Sequence, residues 1–296
     1  MSSIEKSATP TVVRYRDLEP SWHLPNQVPG LMRWMISWVG GGQGYVNSNP
    51  QDSCKSQHSS VGLMHIPKGN RQRGLHYHGV AETYIILKGE VMGWDGNKEV
   101  HRAGPLDCIY IPKGCPHGVR SVGGEEVDLI WIHDNIEKKG TSVYWDGKSP
   151  NPQTSDIEMI RFNDLEPRWN DLDLKDPGHM HYMLSYVGGC EGKLNFNRGV
   201  ASESENIGIG LLVIEPGHKQ ILKKCLTSEV YVLVRGKAII NFGNGNEELG
   251  RLDAVYLPAS SSRSIRNHGR EQVFIVWVHE EPQPDSVDAL YQNHSL

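Results

Sequence analysis

The 296-residue chain lacks most features that would take it out of the ordinary globular class. No apolar run approaches the roughly 20 residues of a membrane-crossing helix. The polar first residues lack the apolar core of a signal peptide. There is no basic surplus: 30 Lys and Arg stand against 35 Asp and Glu, a formal charge of −5, which argues against a nucleic-acid partner. Cysteine is sparse. Its five copies (Cys54, Cys108, Cys115, Cys190, Cys225) are odd in number and scattered, with no Cys-x-x-Cys pair, and read as reduced thiols of a cytoplasmic protein. Long apolar stretches of 3.6-residue period are missing as well, which argues against a βαβ architecture.

Short β-rich runs fill the chain instead, at 83–87, 128–133, 229–234 and 272–279, separated by Gly, Pro, Asn and Asp clusters. They belong to an internal repeat. Asp17-Leu18-Glu19-Pro20-Ser21-Trp22 returns as Asp164-Leu165-Glu166-Pro167-Arg168-Trp169, and Ser37-Trp38-Val39-Gly40-Gly41 as Ser185-Tyr186-Val187-Gly188-Gly189. Glu82 to Gly89 returns as Glu229 to Gly236, and Trp131-Ile132-His133 as Trp277-Val278-His279. The offset stays between 146 and 148 residues, so two copies of one domain account for nearly the whole chain. The expected domains are 1–145 and 146–296, joined by a Gly-, Ser- and Pro-containing connection at 138–157. Segments 47–60 and 195–206 read as loops in equivalent places.

The first copy carries Gly74-Leu75-His76-Tyr77-His78-Gly79-Val80-Ala81-Glu82. Two histidines two residues apart in a strand point to the same face. A carboxylate follows four residues later, and His117 lies downstream in Pro112-Lys113-Gly114-Cys115-Pro116-His117. Three imidazoles and a carboxylate suit a first-row divalent metal such as Fe, Mn, Zn, Ni or Co. A His-x-His alone is a weak signal; the larger pattern carries the reading. His76-x-His78-x3-Glu82-x6-Gly89 resembles the first cupin motif. Gly104-x7-Pro112-x-Gly114-x2-His117 resembles the second, with two extra residues between glycine and proline, and with Ser121 where asparagine often stands. The resemblance implies an all-β fold of two tandem double-stranded β-helix (jelly-roll) barrels. It also implies one metal ion held by His76, His78, Glu82 and His117.

The two halves can be compared with each other. The second has Lys223, Cys225 and Arg263 where the first has His76, His78 and His117; only Glu229 survives, opposite Glu82. Lysine and arginine have no free lone pair at neutral pH, so the expected centre is single and N-terminal. Glu229 is expected to pair with Lys223, Arg263 or both, since a buried carboxylate needs a partner. Tyr84, Tyr110, Trp131 and His133 recur in the metal-free half and read as scaffold. His65 and Trp94 do not recur. His65, in an apolar run, reads either as a satisfied histidine or as a substrate-facing group, and is carried forward with Glu82 as a candidate catalytic residue. Cys115 reads as a small packing residue.

A metal with three imidazoles and one carboxylate keeps up to two positions for water, O2 or a bidentate substrate, as catalytic sites require. Bicupins with a comparable ligand set include flavonol dioxygenases and oxalate decarboxylases. The leading expectation is oxygen-dependent oxidation of a small enolisable or phenolic compound at one iron, with Mn, Ni, Cu or Zn as alternatives. A released Glu82 would serve as general base. Behind this stand a non-redox isomerase, lyase or hydrolase, and then a small-molecule binding module. Fold alone does not choose among them. A homodimer using sheet edges is also expected, with the β-rich stretch 10–16 taking part.

Overall fold

A computed structural model describes residues 9–23, 30–31, 33–97, 99–146, 156–170, 178–189, 195–225 and 227–280. Its regular structure is almost entirely strand, with two short 3-10 turns at Tyr15–Asp17 and Phe162–Asp164 among the described residues. Among those residues no helix is long and apolar enough to cross a membrane. The all-β, two-barrel expectation holds.

The chain divides into two compact units, one built on Leu18–Asp164 and the other on Ser7–Asp17 with Leu165–Leu296. In the first, an eight-stranded sheet runs Glu158–Ile160, Cys108–Ile111, Glu82–Lys88, Val127–His133, Ser60–Ile66, Arg33–Gly40 and Ser21–His23, with Cys54–Lys55 beside Arg33–Gly40. A five-stranded sheet runs Val143–Tyr144, His76–Tyr77, His117–Val122, Glu90–Asp95 and Val100–Ala103. The second unit repeats this with an eight-stranded and a four-stranded sheet. The segments read as loops at 47–60 and 195–206 each hold a short strand, Cys54–Lys55 and Ser202–Ser204, paired in parallel with a long neighbour.

Alternation along the strands sends one side of each residue row into a barrel. In the first unit Met64, Ile66, Tyr84, Ile86, Leu129 and Trp131 meet in one core cluster. Trp131 lies flat on Gly62, its register partner: a Cβ there would fall 2.5 Å from the indole and 2.1 Å from the Ile36 carbonyl oxygen. Trp277 and Gly210 repeat the arrangement. This packing explains why Trp131 and Trp277 recur in both halves, as the scaffold reading expects.

The repeat boundary needs correction. Thr11–Val13 pairs with Ala254 to Tyr256 in the second unit, and Glu158–Ile160 pairs with Cys108–Ile111 in the first. Each head segment completes the sheet of the other repeat, so a cut at 145/146 misassigns both. An aspartate secures each one. Asp253 accepts from Arg14 Nη1 at 2.9 Å, from the Tyr15 N–H at 3.0 Å and from the Gly250 N–H at 3.0 Å. Asp107 accepts in the same way from Arg161, Phe162 and Gly104. The stretch 10–16, expected at a dimer edge, is thus paired within its own chain. Of the expected connection at 138–157, residues 147–155 lie outside the described residues.

Asp253→Ala removes an acceptor shared by three donors, two of them backbone amides. It is expected to destabilise the second unit by about 2 kcal/mol, read as a lower urea midpoint. An unchanged midpoint would show that the head segment is held by strand pairing alone.

Candidate metal centre

The four expected ligands come together. His76, His78, Glu82 and His117 are all buried, and one ligand atom from each lies within 4.8 Å of the others. Register does much of this. His76 and His117 face each other across adjacent strands, and their rings are 4.5 Å apart. The His76 and His78 rings are 5.0 Å apart, as two residues of one extended segment should be. Glu82 opens its strand beside Ile111 and His133, in phase with the inward-facing Tyr84 and Ile86.

Each imidazole is oriented through Nδ1. That atom of His76 meets the Gly74 carbonyl at 3.2 Å, that of His117 the Cys115 carbonyl at 2.9 Å, and that of His78 the Glu137 carboxylate at 2.7 Å. Such bonds fix the tautomer and leave Nε2 for a metal. Glu82 Oε2 lies 2.8 Å from His117 Nε2 and 3.4 Å from His78 Nε2. His78 Nε2 is buried with no hydrogen-bond partner. A buried ring nitrogen without a hydrogen bond, set among three other donors, is of the kind that a metal ion would engage. The donor set and the orphaned nitrogen both fit a divalent metal.

The charges agree. Burial, reinforced by His117 and His78, holds His76 well below its usual pKa, in the neutral form that ligates. Burial would lower His78 too, but Glu82 and Glu137 outweigh it and raise the imidazole to about 10. Burial opposes ionisation of Glu82, yet the charge of His78 and the hydrogen bond from His117 keep its carboxyl well below the usual range.

Further residues border the centre that sequence reasoning did not assign to it. Tyr84 donates its hydroxyl to Glu82 Oε2 at 3.0 Å and receives Gln72 Nε2 at 3.2 Å. His133 Nε2 lies 3.3 Å from Glu82 Oε1, outside hydrogen-bond geometry. Glu137 also accepts from the Gly79 N–H at 3.1 Å, and Ser142 Oγ lies 3.1 Å from His78 Nδ1. Tyr84 and His133 have counterparts around Glu229, so recurrence in the second half marks residues that serve the carboxylate rather than the metal. Cys115 is buried in the core cluster, and burial pushes its thiol up to about 12; it packs and does not ligate.

Two singled-out residues lie elsewhere. His65 is out of phase with the inward Met64 and Ile66. It stacks on Trp34 at 5.0 Å and pairs with Asp128 at 2.7 Å on the outer face. The expectation of a substrate-facing His65 is therefore corrected: alternation turns it away from the barrel. Trp94 also points outward, under the Arg120 guanidinium at 5.0 Å.

In the second unit Arg263 occupies the place of His117 and binds Glu229 through Nε at 2.6 Å and Nη2 at 3.3 Å. Tyr231 donates to the same carboxylate at 2.8 Å and Cys225 Sγ at 3.3 Å. Burial opposes ionisation of Glu229, but Arg263 overrides it and holds the carboxyl at about 2. The expected ion pair forms with Arg263. Lys223 is the register partner of Arg263.

Residues 62–133 match the cupin domain family. No curated protein matches the chain. Among solved structures it is similar to oxalate decarboxylase from Bacillus subtilis at pH 4.6, with a TM-score of 0.64 and 15% identity over 95% of this chain and 78% of that one. A second structure of that enzyme, from work on its Mn(II) centres, gives a TM-score of 0.62 at 15% identity over 96% and 80%. Identity this low speaks for the fold. The fold shared with these structures is that of two tandem β-barrels, and the segment that matches the cupin domain family lies in the first.

Two outcomes follow for the paired sites. His78→Ala is expected to abolish metal retention, read by elemental analysis, while the far-ultraviolet spectrum stays that of the folded barrel; metal kept at the wild-type level would remove His78 from the ligand set. Glu229→Gln leaves a buried guanidinium without its anion and is expected to cost about 3–5 kcal/mol with metal content unchanged. The Glu229 carboxyl lies lower in the folded than in the unfolded chain, so its contribution is full above pH 4.5 and is lost as pH falls towards about 2. A Glu229→Gln variant as stable as wild type at neutral pH, or one that loses metal, would contradict this assignment.

Proposed function

We propose that the chain is a metal-dependent enzyme with one divalent cation, held by His76, His78, Glu82 and His117. We further propose that it oxidises a small enolisable or phenolic compound with O2. The observation that supports this reading is the set of three imidazoles anchored through Nδ1, with the buried Nε2 of His78 left without a partner. Three imidazoles and one carboxylate suit iron first, then manganese, nickel, copper or zinc. Bound there, such a cation supplies Lewis acidity and, for a redox-active metal, electron exchange with O2.

The chain's own residues orient and insulate the site. Gly74, Cys115 and Glu137 set the imidazole tautomers. Tyr84, His117 and His133 surround Glu82, which suits a fixed ligand better than one that swings away to act as base. The exposed Tyr144, register partner of His76, and Arg73 over its ring at 5.0 Å border the strand that carries the first ligand.

A second reading is manganese-dependent decarboxylation of a small carboxylic acid without net oxidation. It is favoured by the overlay of nearly the whole chain on an oxalate decarboxylase studied for its Mn(II) centres.

The test uses protein purified without added metal, assayed under air and under argon against diketones, catechols, flavonols and small carboxylic acids. Bound iron with O2 uptake coupled to substrate loss is the expected result. Manganese with CO2 release and no net O2 uptake would replace the first reading by the second. A bound metal with turnover on none of these compounds would contradict both.

A further inference from the structure

The five-stranded sheet of the first unit sends Val91, Ala103 and Val119 into the core, so alternate residues share its outer face. On that face Arg102 is level with Met92, and Met92 with Arg120. Arg120 in turn faces Arg71 through an isolated bridge. In the next row Val100 is level with Trp94, and Trp94 with Gly118. Like charges directly opposite each other weaken a sheet. Arg102 has Glu90 at 3.4 Å, but Arg71 and Arg120 are exposed and form no ion pair among the described residues. Arg71 Nη1 donates to the Gln72 and Arg73 carbonyls at 3.3 and 3.1 Å, and the Arg120 guanidinium lies over Trp94 at 5.0 Å.

A cavity of about 200 Å³ opens beside this pair, lined mainly by apolar atoms of a wall that includes Arg71, Gly74, Leu75, Trp94 and Gly118. Its lining carboxylate, Asp95, is already engaged. It accepts from the Asn97 and Glu99 N–H groups at 2.8 and 3.0 Å and lies 2.8 Å from His101 Nε2. Gly118 must lack a side chain, because a Cβ there would fall 3.1 Å from the Gly74 carbonyl oxygen. Gly74 has no such neighbour: a Cβ there would meet nothing within 4 Å. Its bareness leaves the cavity open.

The second unit supplies the comparison. The Gln220 N–H donates to Ile265 as the Gln72 N–H donates to Val119, so Lys219 stands where Arg71 does and Leu222 where Gly74 does. Lys219 faces Arg266 through the same kind of bridge. Here too the facing cations border a cavity, of about 420 Å³. Its wall differs: Asn241, Asn246 and Ser264 take the places of Trp94, Val100 and Gly118. The cation pair is common to both units, and the apolar wall belongs to the first.

An anion bound beside two facing cations relieves their repulsion, and a guanidinium fork matches one carboxylate in two parallel hydrogen bonds. An apolar cavity of roughly 150 Å³ is enough for a benzene ring. We infer that the outer cavity of the first unit binds a small aromatic carboxylate. Its ring lies against Trp94 and the bare backbone of Gly74 and Gly118, and its carboxylate meets Arg71. The site is on the opposite face of the sheet from His117, which is in phase with the inward Val119. It does not depend on the metal centre.

The test titrates benzoate, and benzyl alcohol as its uncharged analogue, into the purified protein and three variants by calorimetry. Wild type is expected to bind benzoate, and benzyl alcohol more weakly. Arg71→Gln is expected to bind benzoate roughly 10- to 100-fold more weakly, with benzyl alcohol unaffected. Trp94→Asn, which copies the wall of the second unit, is expected to weaken both. His78→Ala disables the metal centre and is expected to bind benzoate as wild type does. Failure of benzoate to bind wild type would overturn the inference, as would wild-type affinity for it in Arg71→Gln or Trp94→Asn. So would an equal loss of benzoate and benzyl alcohol in Arg71→Gln. Loss of benzoate binding in His78→Ala would place the ligand at the metal instead, and would overturn the inference too.

Discussion

A buried glutamate in each barrel demands positive charge, and the rest of the architecture follows from how that demand is met. Glu82 and Glu229 occupy the same place in the repeat, and both are almost wholly buried. An uncompensated carboxylate in such a place costs several kcal/mol. The second unit answers with Arg263 in direct contact at 2.6 Å. In the first unit three histidines surround the carboxylate, and their arrangement fits a divalent cation among them. A tyrosine two residues on, Tyr84 or Tyr231, donates to the carboxylate in both units. A histidine on the next strand, His133 or His279, lies 3.3–3.5 Å away in both. The shared residues support the carboxylate, and the differing ones decide what neutralises it.

The barrels that hold these sites are stiffened by close contacts that tolerate little change. Trp131 on Gly62 and Trp277 on Gly210 leave no room for a Cβ. The exchanged head segments fill the sheet next to the glutamate strands: Thr11–Val13 pairs with a strand that itself pairs with the Glu229 strand, and Glu158–Ile160 does the same for Glu82. Both aspartates that fasten them follow a leucine with φ of 68°, at Leu106 and Leu252. That conformation is uncommon for a branched side chain, and it is held in place by backbone bonds from the Leu106 and Leu252 N–H groups to Ile86 and Leu233.

Much of this was legible in the sequence because chemistry restricts residue types at short spacing. His76, His78 and Glu82 fall within seven positions of one extended run, and the repeat revealed which of their companions were scaffold. The rest was hidden for identifiable reasons. Glu137 lies 59 residues from the His78 that it orients, in a Lys- and Gly-containing segment where one more acid carries no signal. The sequence leaves both readings of His65 open because its strand is buried on both faces, so polar and apolar residues do not alternate to reveal the phase. The domain limits slipped because a repeat marks where a copy begins, not which sheet its first strand joins.

The central claim is that one unit is built for a metal and its twin has replaced that metal with arginine. The most direct measurement is an anomalous difference map from crystals grown with manganese and recorded at a wavelength where manganese scatters anomalously. The account predicts one peak per chain, surrounded by His76, His78, Glu82 and His117, and none beside Glu229. A peak beside Glu229 and Arg263, or none among the three histidines, would contradict it.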